Sequence, residues 1–136
     1  MKAQVLEALH KLLFSSTGLT TATNNQIYYA RAPVSSTFPQ VVFFDVTDTK
    51  GYLVDYDSVT VQVSAWALDE ITALNIHSLI GGLLSRFYGI VNIGDNAIDI
   101  NYIELIDSGA LPQQDQQLKG QFLRFVIRYR GTNIGG

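Results

Sequence analysis

The stretch from Tyr56 to Tyr88 constrains the fold more than any other part of the chain. Val59, Val61, Val63, Ala65 and Ala67 alternate with Ser58, Thr60, Gln62 and Ser64, and Trp66 ends the second row. Period-two alternation rich in β-branched residues predicts a strand with one face against an apolar layer. Asp69 then offers an N-cap and Glu70 a first-turn acid, so a helix follows directly and runs to about Tyr88. Ile76, Leu79, Ile80, Leu83 and Phe87 form one apolar stripe on it, and Leu74, Leu84 and Tyr88 form a second beside the first. Asn75, Ser78, Gly82, Ser85 and Arg86 mark a polar side, interrupted by Ile71. A helix apolar round most of its circumference has to be covered on more than one side.

The remaining segments assemble around that unit. Lys2 to Phe14 reads as an amphipathic helix, with Val5, Leu6, Leu9, Leu12 and Leu13 on one face and Gln4, Glu7 and Lys11 opposite. Ser15 to Asn25 reads as a polar connection. Gln26 to Ala32 is a short strand stopped by Pro33, and Gln40 to Thr47 is a strand apolar on both faces, which suits the interior of a sheet. Gly89 and Gly94-Asp-Asn mark loops before a strand from Ile98 to Ile106, whose alternation slips near Tyr102-Ile103 as at a bulge. Asp107 to Gly120 is a long glutamine-rich loop, and Gln121 to Arg130 is the last strand. The order α-β-β-β-α-β-β predicts a single α+β domain with one mainly antiparallel sheet of about five strands and two helices packed on it.

Composition narrows function by exclusion. The chain has 136 residues, 47% of them hydrophobic and only 15% charged, a low charge fraction that points to surface hidden in an assembly. A net charge of −3 argues against broad non-specific binding to DNA or a membrane surface. The sequence contains no cysteine, hence no thiolate chemistry. The N-terminus, with Glu7, His10 and Lys11 among its apolar residues, is not a signal peptide, and no apolar run is long enough to span a membrane. His10 beside Glu7 reads as a solvated pair and His77, between two apolar stripes, as a packed or interface histidine. Asp45, Asp48, Asp55 and Asp57 cluster around one hairpin without the spacing of a calcium loop, and read as solubilising charges. Gly81-Gly82 lies mid-helix without a following Lys-Ser or Lys-Thr, so it is not a phosphate loop. The expectation is a non-enzyme with no catalytic residues, metal or cofactor.

Two features ask for more. Gly81 and Gly82 each cost about 1 kcal/mol relative to alanine inside a helix. Either the helix crosses the sheet closely there, or a neighbouring subunit approaches it. Arg124, Arg128 and Arg130 share one face of the last strand. They pair with acids such as Asp99 or Glu104 across the sheet, or they meet a partner, where arginine is enriched.

The arrangement resembles a known family. An N-terminal amphipathic helix leads to Ile27-Tyr28, then Phe38-Pro39-Gln-Val-Val-Phe43 and an acidic hairpin. Val61-Gln-Val-Ser-Ala-Trp-Ala67 feeds the helix Ala73-Leu-Asn-Ile-His-Ser-Leu-Ile80, and the last strand ends Arg128-Tyr-Arg130. Over nearly the whole chain this is similar to the tail terminator, or tail completion, proteins of bacteriophages with long non-contractile tails. The resemblance implies a homo-oligomeric ring, a hexamer, that caps the tail tube, ends its polymerisation and joins tail to head. The implied partners are the tail tube protein and a head-completion or connector protein, with no membrane and no sequence-specific nucleic acid, although the ring lumen passes DNA. The implied location is the head–tail junction of a virion assembled in the host cytoplasm. Another head–tail connector ring is the alternative, as is, from a different class, a small-molecule-binding or enzymatic α+β domain. For a ring contact the candidates are Leu74, His77, Gly81, Leu84 and Tyr88 on one side and Arg124, Arg128 and Arg130 on the other. The tip Tyr52, Leu53 and Val54 and the loop from Asp107 to Gly120 are candidates for partner docking.

Overall fold

The computed structural model describes residues 2–33, 35, 37–50, 57–94, 96–111 and 118–131. In chain order it contains α1 (Lys2–Ser15), α2 (Thr17–Thr23), β1 (Ile27–Tyr29), β2 (Gln40–Lys50), β3 (Asp57–Ala67), α3 (Glu70–Leu84), β4 (Gly89–Ile93), β5 (Asn96–Leu111) and β6 (Lys119–Gly131). The strands form one sheet in the order β1-β2-β3-β6-β5-β4. β1 runs parallel to β2, and every other neighbouring pair is antiparallel.

The alternation of β3 decides which face is covered. Val59, Val61, Val63, Ala65 and Ala67 are buried, and the cross-strand registers set Phe43 on one side of Val63 and Leu123 on the other. Phe125 and Ile127 continue that face opposite Val61 and Val59. Ala73, Ile76, Ile80 and Leu84 of α3 and Val5, Leu9 and Leu13 of α1 are buried as well. The helices and this sheet face share one core cluster. α3 starts where the sequence says it should: Asp69 accepts hydrogen bonds from Thr72 N–H (2.9 Å) and Thr72 Oγ1 (2.7 Å). Those two bonds hold the Asp69 carboxyl below its ordinary value.

α3 ends at Leu84 and not at about Tyr88, and the fold differs from the sequence reading in four further places. First, the polar connection contains a helix, α2. Ser16 caps it by accepting from Leu19 N–H (3.2 Å), Leu19 and Thr23 are buried, and Asn24 ends it in the left-handed region at φ 53°. Second, the loop after α3 contains β4, an edge strand paired to the start of β5. Third, the sheet is therefore six-stranded and mixed, with three helices, rather than about five strands and two helices. Fourth, β5 runs on to Leu111, so the start of the glutamine-rich loop is strand, while residues 112–117 lie outside the described residues. The slip near Tyr102-Ile103 is a break in register between Ile100 and Tyr102, and a second break follows between Leu105 and Asp107.

Candidate interaction surfaces

The candidate residues fall on three parts of the molecule. On α3, Leu74 is exposed and His77 and Gly81 half-buried, so these three share an accessible flank, while the exposed Tyr88 lies beyond the end of the helix at Leu84. Leu84 leaves that set. It follows Ile76 and Ile80 at helical spacing and is fully buried with them against the sheet, so its side chain belongs to the core. A Cβ built on Gly81 meets Leu123 Cδ2 at 3.5 Å, ordinary van der Waals contact, and one built on Gly82 meets nothing within 4 Å. Close crossing over the sheet therefore does not require glycine at either position. The His77 Nε2 atom is buried and has no hydrogen-bond partner among the described residues.

The arginines lie on the sheet face that carries no helix. Arg124 Nη2 donates to Gln62 Oε1 (2.8 Å), its Nη1 stands 4.0 Å from Asp107 Oδ2, and the guanidinium lies 5.5 Å from the Phe122 ring centre. Arg130 Nε donates to Asp99 Oδ2 (3.3 Å). Two of the three arginines thus answer to acids on β5, one of them the expected Asp99. Glu104 faces Val126 instead. Arg128 stands between Ser58 and Tyr102 on the neighbouring strands, is exposed, and makes no ion pair among the described residues. Exposed pairs such as Arg130–Asp99 contribute about 0–1 kcal/mol each, so they add little to stability. Gln62 and Ser64 are buried on it although no helix covers them, because Val42 and Phe44 flank them on β2 and Phe122 and Arg124 on β6.

The third part is a cavity of about 340 Å³ between α1 and the β1–β2 margin, lined by Ala3, Leu6, Glu7, His10, Tyr29 and Phe43. His10 Nε2 lies 3.3 Å from Ile27 O, and its ring packs edge-on to Phe14 at 4.6 Å and tilted over Phe43 at 5.8 Å. His10 is therefore a packed histidine, where the sequence suggested a solvated one. Tyr29 OH donates to Asp45 Oδ1 (2.6 Å), which gives one carboxylate of the acidic hairpin a structural partner. Asp55 and the tip Tyr52, Leu53 and Val54 lie outside the described residues. No group of three or more His, Cys, Asp or Glu side chains converges as a metal site among the described residues.

No protein-family model matches the sequence, and no curated protein matches it. Among solved structures the chain is similar to a chain of the virion of a native gene transfer agent particle. The TM-score is 0.71 at 12% identity, over 88% of this chain and 90% of that one. At that identity the likeness is one of fold, and it extends over most of both chains.

Proposed function

We propose that this chain is a structural protein of a phage-like virion and, within it, the tail terminator: a ring that caps the tail tube, ends its growth and joins it to the head. The observation that carries the reading is the likeness in fold, over most of both chains, to a chain of a virion particle. The surfaces agree with it. A folded domain with one helix-free sheet face, an arginine on that face with no ion pair among the described residues, and an apolar flank on α3 has surface to spare for neighbours. The ring is a hexamer, it binds the tail tube protein on one side and a head-completion or connector protein on the other, and it works without turnover.

The test is genetic. Cells producing the particle without this protein should yield tails of uncontrolled length and filled heads with no tails attached. Normal-length tails that still fail to join heads would move the protein to the head side of the junction, as a connector ring. The enzymatic or ligand-binding alternative has a definite place, the cavity beside α1. A His10→Ala variant that assembles normally but loses a reproducible ligand or activity would favour it.

A further inference from the structure

Both margins of the sheet are stepped, and the steps match. On one margin β1 lies outside β2 at residues 41–43, while from Thr47 to Lys50 β2 has no described strand outside it. On the other margin β4 lies outside β5 from Asn96 to Ile100. Arg86 N–H donates to Ile103 O (2.9 Å) and Ile103 N–H to Phe87 O (3.0 Å), which covers one further position. From Glu104 to Leu111 β5 is bare. The registers give the height of each step, read along β3. β1 stands level with residues 63–65, within the span 60–66 of the bare run of β5. The bare run of β2 spans residues 57–60, where Arg86 and Phe87 stand at Val59 and β4 begins at Asp57. Each projecting strand therefore stands where the other margin is recessed by one strand width, about 4.8 Å.

The side chains at the two steps are complementary as well. Directly paired residues share a face of a sheet. Tyr29 pairs with Phe43 on the side of Val63, and Leu105 pairs with Phe125 on the side of Val61, so both lie on the helix-covered face, two levels apart. Both are exposed, and Tyr29 and Phe43 line the cavity beside α1. Arg31, two residues past β1, is exposed and makes no ion pair among the described residues. Its margin faces a run with Glu104 and no lysine or arginine. The reverse holds one step along. Arg86, exposed and without an ion pair among the described residues, stands two levels from Asp45 at Val61. Its φ of 68° is an uncommon backbone conformation for a residue other than glycine.

We propose that the β1 margin of a second copy of this chain, from Tyr29 to Arg31, seats in the notch along residues 104–111 of β5. Leu105 enters the cavity beside α1 of that copy, Arg31 meets Glu104, and Asp45 meets Arg86. The inference rests on the ring reading and specifies its subunit contact. The two surfaces differ, so the contact is head-to-tail and repeats from copy to copy, as a ring requires. Side chains make it, rather than an extended hydrogen-bond ladder. Ile27 O lies 3.3 Å from His10 Nε2, and Tyr29 O already accepts from Arg31 N–H (2.7 Å), so β1 has few backbone groups left to pair outward. Burial of Leu105 supplies the apolar part of the contact, and the two opposed charge pairs fix its register. The cavity, about 340 Å³, has room for a leucine side chain.

Charge reversal tests the pairing in full-length protein, with native mass spectrometry as the readout. Arg31→Glu and Glu104→Arg should each shift the protein from ring to monomer with the thermal melt unchanged, and the double variant should restore the ring. Because the sequence has no cysteine, Ala30→Cys with Leu105→Cys gives a second, independent readout. On oxidation the pair should give a ladder of covalent oligomers that climbs to the size of the ring and collapses on reduction, while each single variant stops at a dimer or below. Rings that form in both charge variants and give no ladder overturn the notch contact and leave the ring reading standing. Loss of the ring in both single variants without recovery in the double, and with no ladder, overturns the pairing of Arg31 with Glu104. A protein that stays monomeric alone and with tail tube protein overturns both the contact and the ring.

Discussion

Leu84 and Leu74 stand on one helix and separate core from surface. Leu84 is 0% exposed, whereas Leu74 is 43% exposed on the adjacent flank. Truncating a fully buried leucine removes its transfer free energy and leaves a cavity, so Leu84→Ala should cost about 3 kcal/mol within the usual range of about 2–5. For a domain of this size that lowers Tm by roughly 10 °C. Leu74→Ala should cost less than about 1 kcal/mol, as surface substitutions do. Leu74→Asp should leave the melt nearly unchanged and reduce assembly, because it places an unpartnered charge in the proposed contact. Chemical denaturation gives the stabilities and native mass spectrometry gives the assembly state of the same samples. Equal stability losses at the two positions, or a Leu84→Ala protein that melts normally but no longer assembles, would refute the division of α3 into a core face and a docking flank.

Other substitutions test single features of the fold. Gly82→Ala has open space and a helical backbone, and should raise stability by about 0.5–1 kcal/mol in a urea titration. Gly120→Ala should destabilise, because its Cβ would lie 2.5 Å from Trp66 Cζ3 on the facing strand, and a Gly120→Ala melt equal to wild type would show that the indole moves aside freely. Asp69 has a folded-state pKa below its ordinary value of 3.8, so its capping contribution is complete above that value and is lost as pH falls through the lower folded-state pKa. Wild type should therefore lose stability on acidification relative to Asp69→Asn, and parallel pH–stability curves would contradict this. Arg128→Glu should weaken assembly, with the deficit shrinking at high salt, while the monomer melt stays within about 0.5 kcal/mol of wild type.

The β3–α3 unit was legible because its apolar period is unbroken and Asp69 announces the helix. α2 was not: seven residues with Leu19 as their one large apolar side chain carry no period to read. β4 was hidden for a similar reason, since four residues between Gly89 and Gly94 look like the loop they interrupt. Leu84 was assigned to the outer stripe because a helix apolar on two adjacent sides does not declare which one meets the sheet. Packing decides that, and here Ile76, Ile80 and Leu84 go inward together. The arginine face was readable from β6 alone, but its partner Asp107 came from a segment read as loop, so only the pairing of β5 with β6 reveals that contact. The bare margins are properties of strand order, which no local pattern encodes.

The ring itself is tested most directly by native mass spectrometry of the purified protein, alone and after addition of tail tube protein. A discrete species of six chain masses, joined by tube protein into a larger complex with a fixed ratio of the two, is the predicted result. A monomer in both samples, with no mass shift on mixing, would contradict the terminator reading.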